Sequence, residues 1–338
     1  MERLVRIARG ARRARVAALG LALVVVAGEA WGQVQCGAII GPKEKVTLQG
    51  DLEQCPPGTP ALTVVGPATL DLNGFSVICR EAGVNTARGI VVVGKRAVVR
   101  NGTVQHCSIG VEVLGEGSHR IENVTAALSD DGFGPLGEGF VIESDANRLT
   151  GNTAIANDGE GFRLIHADRN RLVRNHAFFN ASSGFVVDVG LRNVLQGNTA
   201  RDNHIFGFFL GAGPFTPGGG RNVVKNNSAT GNQTGFWIDG EEGTRLTGNV
   251  ADENHGDGIL LVRGRKNRLT RNQANGNGEN GIALLSESGT HVTRNAALNN
   301  DRDNDGNRHY DLNESLTNCG DNRWRNNVFA SANQPCVR

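Results

Sequence analysis

The 338-residue chain has little proline, no long apolar run after its first thirty residues, almost no net charge and no Cys-x-x-Cys pair. Each of these excludes something. The nine prolines stand at positions 42, 56, 57, 60, 67, 135, 214, 217 and 335, so none interrupts the regular repeat described below. Proline removes a ladder donor and is confined to edges and loops of sheets, and its absence leaves room for uninterrupted strand pairing. The one apolar run, Val16 to Ala27, is too short for a stable bilayer anchor. It follows Arg3, Arg6, Arg9, Arg12, Arg13 and Arg15 and gives way to Ala30-Trp31-Gly32, the order of a secretory signal cleaved before Gln33. Residues 1–32 are therefore expected to be a signal peptide. That segment holds six arginines and two glutamates, so losing its +4 turns the formal charge of +1 into −3. A near-neutral chain lacks the basic footprint of a nucleic-acid binder, and no membrane span is expected after cleavage.

Without Cys-x-x-Cys, zinc and thioredoxin chemistry have no foothold. The six cysteines, Cys36, Cys55, Cys79, Cys107, Cys319 and Cys336, cluster toward the two ends, with none between 108 and 318. In an exported chain they read as disulfides. The pairings 36–55, 79–107 and 319–336 are expected, because each closes a short segment near a terminus.

What the chain has in abundance is a repeat. The segment from Asn147 to Asn152 (Asn-Arg-Leu-Thr-Gly-Asn) returns at Asn170–Asn175, Asn193–Asn198, Asn222–Asn227, Thr244–Asn249, Asn267–Asn272 and Thr290–Asn295, at intervals of 23, 23, 29, 22, 23 and 23 residues. Columns are locked to this period. One runs Asn152, Asn175, Asn198, Asn227, Asn249, Asn272 and Asn295, and a second follows five residues later, from Asn157 to Asn300. An alanine stands two residues after each first asparagine, and Gly-Phe or Gly-Ile follows the second one in six of the seven coils, as in Gly161-Phe162 and Gly258-Ile259.

Short strands stacked coil on coil would place equivalent residues about 4.8 Å apart, a spacing at which identical asparagines hydrogen-bond along the stack. Asparagine also tolerates the left-handed conformation of a sharp corner. Apolar residues alternate, as in Phe162 and Leu164, rather than recur at helical spacing, which excludes helical repeats. The reading is all-β: a right-handed parallel β-helix of about ten to eleven coils forming one solenoid domain. Solenoids need caps over their open ends. Residues 33–70 are expected to be the N-terminal cap, 71–300 the repeats and 301–338 the C-terminal cap, with disulfides stapling both ends.

Leu70-Asp71-Leu72-Asn73-Gly74, the Asn-x-Leu-Thr-x-Asn coils and the closing Cys319-x-x-Asn322-x-Trp324-x-x-Asn327-x-Phe329…Cys336 resemble the secreted bacterial β-helix repeat proteins of the pectate-lyase-like superfamily, over roughly residues 62–336. The resemblance implies this fold and a periplasmic or extracellular location. It does not select an activity, because the superfamily holds lyases, hydrolases, epimerases, tailspikes and metal-delivery proteins. The Asp-Pro-His-Asp signature of related epimerases is absent.

Two coils break the period, with about five extra residues between Asp130 and Glu138 and about six between Leu210 and Asn222. Both would border one outer face, and loops on a regular scaffold are where sites form; neutral drift in surface turns is the competing reading. On that face Phe209 and Trp237 fall on adjacent coils and suit stacking against sugar rings, unless a loop simply folds over them. Glu143, Asp188 and Asp239 fall in one column at two-coil spacings, about 9–10 Å apart, near the upper end of the separation in inverting glycosidases. Arg163 with Asp188 is the nearest arrangement to the base and cation of a lyase. The turn Asp301-Arg302-Asp303-Asn304-Asp305-Gly306 begins like a calcium loop, but Leu312 replaces the bidentate glutamate at the twelfth position. Calcium at Asp301, Asp303 and Asp305 stands against a solvated turn, and no cofactor is required. Arg148, Arg171, Arg245 and Arg268 share one phase, read either as a solvated face or as a contact for an anionic polymer. The histidines form no column.

Two functions follow. The first is an exported protein that binds a polysaccharide along one solenoid face. The second is a polysaccharide lyase or glycoside hydrolase acting on an acidic polymer through the same face.

Overall fold

The computed structural model describes residues 34–79, 87–130, 137–211, 219–302 and 307–337. The leader expected at 1–32, the middle of both off-period segments, and Asp303 and Asp305 lie outside the described residues. The chain from Val34 onward forms a parallel β-helix. One sheet, here sheet A, holds twelve strands from Ala38–Ile40 to Leu312–Glu314, stacked in chain order with one strand per coil. Register is regular: Phe162 lies beside Phe185, which lies beside Phe208, with Arg163, Val186 and Phe209 alongside. The other two sides of each coil carry short strands such as Arg148–Thr150 and Thr153–Ile155, which pair with Arg171–Val173 and His176–Phe178 of the next coil. Among the described residues there is no α-helix, only a 3-10 turn at Thr317–Cys319.

The corners are made as the asparagine columns predict, with one difference. Asn152, Asn175 and Asn198 are fully buried and form a continuous ladder: the backbone N–H and Nδ2 of Asn152 both donate to Oδ1 of Asn175, each at 3.0 Å. Asn175 repeats this toward Asn198. Each Nδ2 also donates to a carbonyl of the preceding coil, as Asn198 does to Leu172 at 3.0 Å. A second ladder runs from Asn157 and a third from Asn147. These asparagines were expected to take the left-handed conformation themselves. Instead the residue before each one does, as in Gly151, Arg174, Gly197 and Asn226 before the first column. The left-handed residue swings the chain through the corner, and the next side chain then points inward where the ladder runs.

Inside, five phenylalanines, Phe140, Phe162, Phe185, Phe208 and Phe236, stack face to face with centroids 4.6, 4.8, 4.8 and 4.7 Å apart. Ile259, Ile282 and Leu312 continue the column. The glycine before each phenylalanine is there for close approach. A Cβ on Gly184 would lie 2.8 Å from the Gly207 carbonyl oxygen and 2.9 Å from the Ala200 methyl.

The disulfides are Cys36–Cys55, Cys79–Cys107 and Cys319–Cys336, as expected. The terminal segments do more than cover the ends. Ala38–Ile40, Lys45–Thr47 and Leu52–Cys55 pair with the following coil, and Leu312–Glu314 and Arg323–Arg325 pair with the preceding one. Both segments therefore carry strands in register with the repeats, which brings sheet A to twelve strands.

Candidate functional site

Strand alternation sends every second side chain of sheet A outward. Register places Glu112, Val141, Arg163, Val186, Phe209, Trp237 and Leu260 in one outer column. Ile165, Asp188, Gly211, Asp239 and Val262 form the next. These neighbours are the ones the repeat predicts.

At one end of the face, Arg163 joins two carboxylates. Its Nη1 lies 3.2 Å from Oε1 of Glu138, and its Nη2 lies 3.8 Å from Oδ2 of Asp188. Its Nε is buried without a partner among the described residues. Glu138 opens the strand Glu138–Ile142 and is only 6% exposed. Burial pushes its carboxyl up to about 7, the negative charge of Glu160 adds to this, and Arg163 opposes both. A carboxyl that titrates near neutrality in contact with a guanidinium is equipped to take or give a proton. One coil earlier, Arg88 holds buried Glu112 at 2.9 Å. The Glu112 carboxyl is raised by burial, against the pull of Arg88, and nearby exposed Glu143 raises it further.

At the other end lies an aromatic cluster. Phe209 and Trp237 are side by side in the register and are half-buried rather than exposed. The reason is Phe206, whose ring packs 5.6 Å from Phe209 and edge-on to Trp237 at 4.8 Å. Trp237 Nε1 is buried and has no hydrogen-bond partner among the described residues. Residues 212–218, the loop that would fold over these rings, lie outside the described residues.

The structure does not gather the other carboxylates around Arg163. Asp239 is nearly buried and makes a two-pronged pair with Arg263, with Nε 3.1 Å from Oδ1. Glu143 is exposed beside Glu112. Asp301 is exposed, and its backbone N–H donates to the Glu279 carbonyl at 2.8 Å. Its partners in the expected calcium turn, Asp303 and Asp305, lie outside the described residues. No cluster of three or more metal-ligating side chains occurs among the described residues.

A family model described as the right-handed β-helix region matches residues 84–217 and 211–297, well over half of the chain. The chain belongs to the right-handed β-helix family. No curated protein matches the sequence. Among solved β-helices, the chain is similar to the A-module of the mannuronan C-5 epimerase AlgE4 of Azotobacter vinelandii, at 15% identity and a TM-score of 0.60, covering 91% of this chain and 88% of that one. It is also similar to the periplasmic alginate epimerase AlgG, at 14% identity and a TM-score of 0.54 over 82% and 77% of the two chains. The catalytic unit of a GH87 α-1,3-glucanase from Streptomyces thermodiastaticus follows at 13%, 0.53, 89% and 65%. At these identities the likeness establishes the fold.

Two residues of this β-helix face are absent from the sequence-based set, Glu138 and Phe206. Both occupy the position just before the Gly-Phe pair, where the other coils carry Glu160, Ser183, Thr234 and Asp257. Nothing repeats there, so periodicity offers no signal. The available clue was location: Glu138 directly follows one off-period segment, and Phe206 lies on the strand that leads into the other.

Proposed function

We propose that this β-helix is exported and binds a carbohydrate polymer along the outer face of sheet A. The observation that carries the reading is the juxtaposition on five successive coils of Glu138, Arg163, Asp188, Phe209 and Trp237. At strand spacing these coils span roughly 20 Å, enough for several sugar units of an extended chain. Aromatic rings at one end and ionised hydrogen-bonding groups at the other match the two faces of a sugar, one apolar and one hydroxylated. The alginate epimerases and the glucanase of similar fold agree with this class of ligand, and three disulfides agree with an oxidising compartment.

Glu138 favours a second reading, in which the same face performs chemistry. Its near-neutral carboxyl beside Arg163 suits a uronate lyase: Glu138 removes the proton on the carbon next to the sugar carboxylate, Arg163 neutralises that carboxylate, and the β C–O bond breaks. The C–H electron pair becomes a C=C double bond, and the leaving sugar oxygen takes its proton from protonated Glu138 or from water.

One experiment separates them. Purified mature protein is incubated with neutral and uronic-acid polysaccharides while retention and product release are measured together. Retention without product, weakened about tenfold or more in Trp237→Ala, supports binding, since buried aromatic anchors typically contribute more than about 1.4 kcal/mol. Product lost in Glu138→Gln with retention kept supports the lyase. Absence of both across the panel refutes the carbohydrate assignment.

A further inference from the structure

A second surface, on another side of the solenoid, has chemistry of its own. The recurring Arg-Leu-Thr segment buries its leucine and turns its arginine and threonine outward. Register stacks Arg245 beside Arg268, then His291, then Arg323, and stacks Lys225, Thr247, Thr270, Thr293 and Arg325 in the parallel column. Arg271 and Arg294 stand exposed at the adjoining corner. None of Arg245, Arg268, Arg271, Arg294, Arg323 and Arg325 forms an ion pair among the described residues. The acids flanking this column on the preceding turn do not neutralise it. Glu242 is held by Arg265 at 2.8 Å and Lys266 at 3.6 Å, and Asp321 stands exposed at the last coil.

Like charges directly opposite on paired strands are destabilising, so a chain of net charge −3 after signal removal that concentrates unpaired arginines on four successive coils bears a cost. Protection of an open sheet edge does not account for it, because the strands of Arg245 and Arg268 are paired on both sides. Electrostatics agree: His291 is pushed below the ordinary histidine value, first by burial and then by Arg268, Arg323 and Arg325.

We propose that this arginine–threonine face is a docking surface for an extended anionic polysaccharide lying along the solenoid axis. Arg245 and Arg268 lie one strand spacing apart, about 4.8 Å, close to the advance per sugar of an extended chain with one acidic group on each unit; His291 takes the next place in the column and Arg323 follows. Guanidinium forks meet carboxylate or sulfate groups in paired hydrogen bonds, and the threonine column meets hydroxyls. A flat stripe one or two side chains wide fits a thin, extended chain better than a wide nucleic-acid duplex. The proposal stands independently of sheet A.

The test uses the full mature protein and the exposed triple variant Arg245→Gln/Arg268→Gln/Arg271→Gln, with matching circular dichroism and melting temperature as the check of fold. Binding to polygalacturonate, to a sulfated glycan, to a neutral glucan and to duplex DNA is measured at two salt concentrations. Expected is salt-sensitive binding to one or both anionic glycans, weakened at least tenfold in the triple variant. Carboxylated and sulfated arms distinguish the two sources of charge. Unchanged affinity in the triple variant, no anionic-glycan binding, or tighter binding of DNA would each overturn the assignment.

Discussion

Asn198→Ala removes one rung from the longest interior ladder, and the structure sets the size of the effect. Oδ1 of Asn198 accepts from the backbone N–H of Asn175 at 2.9 Å and from its Nδ2 at 3.1 Å, while its own Nδ2 donates to Leu172 O and Asn227 Oδ1, both at 3.0 Å. Not all of these partners are stranded. Asn175 Nδ2 keeps Leu149 O, and Asn227 Oδ1 keeps the backbone N–H of Asn198. The Asn175 N–H, however, loses its acceptor in a site with no exposed surface. An orphaned buried donor costs about 1–3 kcal/mol, and each lost bond to a satisfied partner about 1 kcal/mol. The sum is roughly 4–6 kcal/mol. Because each coil touches only its neighbours, the loss also weakens both interfaces of this coil, through which the two halves of the stack are coupled. Urea unfolding followed by circular dichroism should show this loss together with a broadened or split transition. A change below about 1 kcal/mol with an unaltered transition would mean that the ladder contributes little, and that the phenylalanine stack and backbone pairing hold the coils alone.

Two further outcomes follow from buried groups. Glu241 is fully buried beneath the third ladder, where it accepts from Asn222 and Thr244, and burial pushes its carboxyl up to about 7 from an ordinary 4.5. A raised value means that the folded state prefers the protonated form, so this contribution is full below about pH 4.5 and fades as pH rises through 7. Glu241→Gln should flatten the fall in stability across that window, and an unchanged slope would remove Glu241 as its source. Gly184→Ala should destabilise by about 1–3 kcal/mol, because its methyl would press on the next coil's backbone; a melting temperature equal to wild type would contradict the close-approach account.

The fold was legible because a solenoid writes each interior position many times. Asn175 is one sample of a column, and seven samples distinguish a corner from chance. The same redundancy also misled in one respect. Asparagine repeats so clearly that it attracts the left-handed conformation in the reading, whereas that conformation sits on the variable residue before it, filled by Gly151, Arg174 or Asn226 alike. Arg163, Asp188, Phe209 and Trp237 were placed by counting from the Gly-Phe pair, and the register agrees. Counting could not reveal that Arg263 holds Asp239, or that Glu138 rather than Glu143 meets Arg163. Those pairings depend on side-chain reach across coils and on desolvation beside Glu160, neither of which repeats. Phe206 was missed for a related reason: its ring shields a neighbour from a position that is otherwise polar.

Trp237 provides the most direct test of glycan binding on sheet A. Trp31 falls in the expected leader; the tryptophans of the described residues are Trp237 and Trp324, and Trp324 is buried with its Nε1 bonded to Glu314 at 3.0 Å. Intrinsic fluorescence is therefore titrated with the polysaccharide that the protein retains, in wild type and in Trp237→Phe. A saturable change in emission that disappears in the variant is the predicted result. A change that persists undiminished without Trp237 would place the glycan elsewhere and contradict the account.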